Sequence, residues 1–257
     1  MSDTSEIARR ILRAYSDHMP IEPVRGEIKG VAAAYAVQLA AIDIWKGRGR
    51  KIAGQKIGLT SAAVQDQLGV KEPDFGALFA DMILDDGATV PPGAVLQPRI
   101  EGEVAFILKS DLRGAKITPE EVIRATDYVC PAIEICGSRI ARWDIKIEDT
   151  IADNASSGLV VVGRKHTKPV LANLADAEMS IRHNGTPAGS GRGQACLGNP
   201  AIAVAWLAEA LTRFGEGLRA GDLVMSGSLA KMIAAAPGDK FAVDFGALGS
   251  VSVTFGA

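Results

Sequence analysis

"QPRIEGEVAFILKSDLRGAKITPEEVIRATDYVCPAIEICG", residues 97–137, gathers three carboxylates where apolar side chains would be expected, and the reading of the whole chain turns on it. Residues 101–108, "EGEVAFIL", are rich in apolar side chains and bounded by turn-type sequence, which predicts a strand. Period-two alternation sets Glu101, Glu103, Ala105 and Ile107 on one face and Gly102, Val104, Phe106 and Leu108 on the other. The two glutamates are then neighbours, about 6.6 Å apart along the strand. Buried, such like charges raise each other's pKa or need a cation between them. Facing solvent, they are ordinary residues of a half-exposed strand, and spacing leaves both readings open.

A connecting helix follows, with Thr118 as N-cap, Pro119 at its first position and Glu121 completing a capping box. The pattern predicts that this helix ends near Pro131 and that "AIEIC" forms a second short strand carrying Glu134. Three carboxylate ligands would suit Mg²⁺ or Mn²⁺ better than structural zinc.

The 257 residues suffice for a large core, and 47% hydrophobic residues argue against disorder. A formal charge of -2 gives no reason to expect a nucleic-acid or acidic-membrane partner, and the basic run "KGRGRK" lacks interleaved aromatic residues. Cys130, Cys136 and Cys196 have no paired spacing, which favours a reducing compartment, with Cys196 in a glycine-rich loop where exposure is possible. Neither a signal-peptide pattern nor a long uninterrupted apolar run stands out, so a cytoplasmic protein is expected. His18, His166 and His183 are too scattered to suggest a histidine metal site, which leaves acid–base work to lysine or carboxylates.

Residues 1–50 read as a helical N-terminal subdomain, with Asp3 as a cap and Val31, Tyr35, Gln38, Ile42 and Trp45 at helical spacing in the second helix. Residues 51–257 form the remaining unit, where short strands occur without regular helix alternation, an α+β pattern. Residues 61–69, "SAAVQDQLG", read as a short helix. Lys56, flanked by glycines at one residue's remove, can orient a ligand carboxylate or transfer a proton, or be a surface residue in a turn; Asp74 after Pro73 is equally a turn or capping residue. Asp153 and Asn154 can cap a helix, and Ser156 and Ser157 offer loop hydroxyls without a nucleophile elbow around either. Asn184-Gly185 predicts a tight hairpin; Arg192 beyond it either neutralises an anion or is simply solvated. Asn199 and Pro200 start a core helix with Val204, Leu207, Leu211 and Phe214 as its buried stripe. Ser226, Gly227 and Ser228 either cradle carboxylate oxygens or end a strand, and two alternating strands close the chain.

The segments "GQKIGLTSAAVQDQLGVKEPDFGALFADM", "LQPRIEGEVAFIL", "PAIEICGSRI", "DTIADNASSG", "GSGRGQACLGNP" and "AGDLVMSGSL" resemble the hydratase/decarboxylase branch of the fumarylacetoacetate hydrolase superfamily over nearly the whole chain. The resemblance implies a twisted mixed β-sheet roll with a small helical N-terminal part, assembled as a homo-oligomer. It implies Glu101, Glu103 and Glu134 as ligands of Mg²⁺ (or Mn²⁺), Lys56 and Asp74 as catalytic residues, and Asp153 beside the substrate. Arg192, Ser226 and Ser228 complete the candidate substrate contacts; the segment from Ser226 to Leu229 departs from the Thr-Gly beginning common in relatives. The implied reaction adds water to 2-hydroxypenta-2,4-dienoate, a small-molecule 2-hydroxydienoate, to give 4-hydroxy-2-oxopentanoate after meta-cleavage of aromatic rings. Decarboxylation of 2-oxohex-3-enedioate, hydration of a longer 2-hydroxydienoate and a catalytically inert scaffold are the alternatives.

Overall fold

The computed structural model describes residues 3–61, 65 and 72–257. Its centre is the antiparallel pair of β5 (Arg99–Leu108) and β6 (Thr126–Cys136), the two long strands of an eight-stranded sheet. Along this sheet β2 (Asp74–Phe79), β1 (Ile52–Gly58) and β10 (Leu223–Met225) lie to one side of β5, and β7 (Leu159–Val162) and β3 (Ile83–Asp85) lie beyond β6. The short β11 (Ile233–Ala234) pairs with the start of β5. A five-stranded sheet runs β4 (Thr89–Val90), β13 (Ser250–Phe255), β12 (Lys240–Asp244), β8 (Glu178–His183) and β9 (Thr186–Arg192).

The second sheet covers one face of β5. A Cβ on Gly102 would lie 3.0 Å from Val243 and 3.1 Å from the Met179 sulfur, so the absent side chain lets the sheets close on each other there. The opposite face of β5 carries Glu101 and Glu103 and is the face the site uses.

The helix joining the central strands is shorter than its sequence pattern predicts. The Thr118 hydroxyl accepts from the Glu121 N–H and the Glu121 carboxylate accepts from the Thr118 N–H, but the helix, α3 (Pro119–Ala125), ends at Ala125 rather than near Pro131. Thr126, Tyr128 and Val129 are strand formers, and pairing with residues 106–108 of β5 outweighs continued helix. Pro131 sits inside β6 at little cost. Val104 opposite it bonds towards Ser226 instead, and the Pro131 nitrogen faces the side where β7 has already ended.

The N-terminal helices, α1 (Thr4–Asp17) and α2 (Val31–Gly47), pack against each other and on this sheet. Asp3 caps α1 by accepting from the Ser5 N–H, and Ile7, Ile11 and Leu12 form its buried stripe. Gln38, buried in α2, donates to the carbonyls of Phe75 and Ile151, tying the helix to β2 and to α4 (Ile147–Ala152). The core helix α5 (Pro200–Arg213) starts at an Asn199 cap as expected, with Val204, Leu207 and Leu211 buried. Phe214 departs from that stripe. At the helix end it is 42% exposed, with its ring against Tyr35 and Phe75. The segment Gly193–Arg213 has the length and hydropathy to cross a membrane, but it is 56% buried within the protein and serves as core. The predicted helix over residues 61–69 lies outside the described residues apart from Ser61 and Gln65.

Candidate metal centre and its lysine

Cross-strand register assembles the site. Glu101 lies directly opposite Glu134, and Glu103, two residues on, shares their face. The same face continues through Ala105 to its β10 partner Met225, and from Met225 to its parallel β1 partner Lys56. Lys56 is therefore mid-strand and 3% exposed, not a turn residue, and its ammonium lies 3.2 Å from Glu134 Oε1. Asp74, the first residue of β2, is 1% exposed and paired with Gly58. A Cβ on Gly58 would meet Asp74 Oδ1 at 2.2 Å, so the space beside Lys56 exists because residue 58 is glycine.

A strained segment completes this wall. Asn154, Ala155 and Ser156 all hold left-handed backbone, with φ of 53°, 51° and 53°. Asn154 secures the segment by accepting from the Ala77 N–H and donating to the Ala77 carbonyl. The result aims the Ala155 carbonyl at Lys56 Nζ, which donates to it at 2.8 Å. Thr150 donates to Asp74 Oδ2 at 3.2 Å and lies at the same distance from the Ser156 hydroxyl.

The carboxylates are unusually poor in partners. Glu103 and Glu134 are fully buried, yet Glu103 Oε1, both oxygens of Glu134, Asp74 Oδ1 and the Ser226 hydroxyl have no hydrogen-bond partner among the described residues. The Glu103 side chain accepts from the Gly227 N–H at 2.7 Å. Burial, reinforced by Glu134, lifts the Glu101 carboxyl to about 7 and also raises Glu103 well above the usual range. Burial also raises Asp74, against the opposing pull of Lys56. For Lys56, burial works against the charge, but Glu134 foremost and the neighbouring acids hold the ammonium charged, well above its ordinary value. Buried oxygens left without protein donors are costly unless a cation completes them, and this donor set fits a hard divalent ion.

Cys136 joins the same cluster. Its thiol donates to Glu101 Oε2 at 3.3 Å, and its sulfur and one oxygen each of Glu101 and Glu134 lie within 4.8 Å of one another. Glu103 shares the face of Glu101 but is not in this close-set group, although a hard ion prefers oxygen to sulfur.

The remaining candidates are not all brought here. Asp153 is buried, but Arg139 occupies it: the Arg139 Nε donates to one oxygen at 2.6 Å and the backbone N–H to the other at 2.9 Å. Burial lifts this carboxyl to about 6 and the guanidinium opposes the rise. Arg192 lies on the outer face of the second sheet. It is in register with Glu178, whose neighbour Met179 points inward to Gly102, and it forms an exposed ion pair with Glu178. A surface hollow of about 470 Å³ beside this pair is lined by Ser190, Asp244 and Gly246 and is separated from the carboxylates by the sheet. The Ser228 hydroxyl donates to the Ala230 carbonyl, and the buried Ser226 hydroxyl has no hydrogen-bond partner among the described residues. Cys196 is buried, not exposed, and donates to the Ser226 carbonyl. Thr150, Asn154, Arg139 and Cys136 carry no periodicity signal that singles them out; the dense polar run "DNASSG" was the one visible hint.

Residues 51–255 match the family described as fumarylacetoacetate (FAA) hydrolase C-terminal. The chain belongs to the fumarylacetoacetate hydrolase family. Its mixed sheet roll with N-terminal helices is that family's fold, and the chain is a metal-dependent enzyme of this family. It is 46% identical over 252 residues to 2-keto-4-pentenoate hydratase of Paraburkholderia xenovorans (strain LB400), covering 97% of this chain and 94% of that protein. It is 48% identical over 227 residues to 2-hydroxyhexa-2,4-dienoate hydratase of Comamonas testosteroni, covering 88% and 86%. Among solved structures it resembles 4-oxalocrotonate decarboxylase from Pseudomonas putida G7, complexed with magnesium and adipate. There the TM-score is 0.95 at 33% identity, covering 98% of this chain and 97% of that one.

Proposed function

We propose that this enzyme hydrates 2-hydroxypenta-2,4-dienoate to 4-hydroxy-2-oxopentanoate in the catabolism of aromatic rings opened by meta-cleavage. The observation that carries the proposal is the row of buried, unpartnered carboxylate oxygens beside a buried lysine on one sheet face. Identities of 46% and 48% to proteins named as dienoate hydratases, against 33% to the decarboxylase, favour addition of water.

Glu101, Glu103 and Glu134 would hold Mg²⁺ or Mn²⁺, which when bound supplies Lewis acidity towards the substrate's carboxylate and C2 oxygen. Lys56, kept charged by Glu134, is placed to orient the substrate carboxylate or pass a proton to carbon. Asp74 keeps one oxygen on Thr150 and the other free, which suits it to orienting the water that adds at C4. Protons are gained at C5 and C3, the hydroxyl oxygen is gained at C4, and the enol proton is lost, so the net change is one water. The free Ser226 hydroxyl is the remaining polar contact for substrate. Asp153 acts through Arg139 as a structural support and Arg192 stays outside the site. Residues 1–50 brace the catalytic unit, 51–257, through Gln38.

The test is product analysis. The Mg²⁺-loaded enzyme is incubated separately with 2-hydroxypenta-2,4-dienoate and 2-oxohex-3-enedioate, with NMR identification of products and measurement of carbon dioxide. Formation of 4-hydroxy-2-oxopentanoate from the first with little carbon dioxide from the second is expected. Carbon dioxide release without hydration of the first overturns the reading in favour of a decarboxylase, and inactivity on both favours a scaffold.

A further inference from the structure

We infer that Cys136 gives the carboxylate centre a second binding mode, in which a thiophilic divalent ion such as Zn²⁺ or Cd²⁺ is held by the Cys136 thiolate with Glu101 and Glu134. The inference rests on the reading of this cluster as a metal centre and extends it to a different class of ion.

Placement is the first support. Cys136 follows Glu134 by two residues on β6, so their side chains share a face, and its sulfur is 3.3 Å from Glu101 Oε2. One donor atom each from Glu101, Glu134 and Cys136 lies within 4.8 Å of the others, close enough to surround one ion. The second support is independent of the thiol: Glu134 is fully buried, and beyond the ion pair of its Oε1 with Lys56 neither of its oxygens has a hydrogen-bond partner among the described residues. Glu103, meanwhile, is drawn towards the opposite side by the Gly227 N–H.

The chemistry separates the two modes. Hard ions such as Mg²⁺ and Mn²⁺ gain little from sulfur and stay on the glutamates, whereas Zn²⁺ and Cd²⁺ bind thiolate strongly. On binding, the S–H bond breaks, a sulfur–metal bond forms and the proton passes to water; no oxidant or reductant takes part. Because both modes use Glu101 and Glu134, they exclude one another, and a thiophilic ion displaces the catalytic one. Cys130 and Cys196, both buried elsewhere, take no part.

The experiment titrates the full-length protein, freed of metal by chelation, with Cd²⁺ while following the thiolate-to-cadmium charge-transfer absorbance. Wild type is expected to develop the band to one ion per chain, and saturating Mn²⁺ to suppress it. Cys136→Ser and Cys136→Ala are expected to lose the band and to weaken Cd²⁺ binding about tenfold or more. Mn²⁺ paramagnetic resonance on the same variants reports the oxygen site and the fold. A band of wild-type size in either variant, no band in wild type at saturating Cd²⁺, or a band indifferent to Mn²⁺ that paramagnetic resonance shows to be bound overturns the inference. If Mn²⁺ fails to bind while the cadmium band appears and requires Cys136, the catalytic-metal reading fails and the thiol site stands.

Discussion

Among the described residues two ion pairs have both partners buried, and they are built to opposite specifications. Around Arg139 and Asp153 the polar atoms are closely matched. The guanidinium also donates to the carbonyls of Ser157 and Asp153, and its face rests 4.0 Å from the Tyr15 ring centroid. Around Lys56 and Glu134 the lysine has one carbonyl and one carboxylate oxygen, and the glutamate side chain has no hydrogen bond among the described residues. A closed network repays the desolvation of its charges internally; an open one stores that cost until something enters. Thus burial and charge are common to both pairs, and what separates them is how far their polar atoms are matched within the protein.

The strongest way to break this contrast is to remove an open carboxylate. Glu134→Gln or Glu103→Gln is expected to lower kcat/KM about a thousandfold and to abolish Mn²⁺ binding, with unchanged or higher resistance to urea in the metal-free protein. Calorimetric titration with Mn²⁺ checks it, and wild-type affinity in the variants would remove these glutamates from the metal centre. The closed pair should behave in the reverse sense. Asp153→Asn leaves Arg139 without its carboxylate and is expected to cost about 3–5 kcal/mol in urea unfolding while the folded fraction keeps its Mn²⁺ affinity. A raised KM with undiminished stability would return Asp153 to substrate binding.

Lys56→Met separates charge balance from chemistry. Removing the cation makes the cluster more negative, so Mn²⁺ should bind at least as tightly while kcat falls about a hundredfold. A parallel loss of both would mean that Lys56 only shapes the site. Acidity offers a gentler probe. Glu101 rises from 4.5 to about 7 on folding and Glu103 also rises well above its ordinary value, so across that window the metal-free native state holds protons that the unfolded chain has released. Their contribution to stability is fully present below 4.5 and is lost as pH rises through the folded values, while Mn²⁺ affinity climbs over the same range as fewer protons must be displaced. Urea midpoints and Mn²⁺ titrations at a series of pH values should move in opposite directions. The smallest effect belongs to Arg192→Ala, an exposed pair outside both networks: stability within about 0.5 kcal/mol of wild type and unchanged kcat/KM. A marked rise in KM would restore its anion-binding role.

Local pattern carried much of this structure. Alternation along residues 101–108 was enough to place Glu101 and Glu103 on one face, the Thr118–Glu121 capping box marked the helix start, and Asn184-Gly185 marked the hairpin, because each of these depends on neighbours a few residues away. Family resemblance, resting on motifs spread along the chain, supplied the fold and implied Lys56 as a catalytic residue and Glu134 as a metal ligand. What stayed out of reach was everything decided by register and strand order. Only the pairing of β5 with β6 sets Glu134 opposite Glu101, and only the parallel pairing of β1 with β10 turns Lys56 from a lysine among glycines into a buried cation on that face. Likewise no local signal shows that Arg139 will occupy Asp153, or that the second sheet will stand between Arg192 and the glutamates. Periodicity fixes which face of its own strand a side chain takes, but which faces are joined, and which charges thereby find or lack a partner, depends on contacts between residues far apart in the chain.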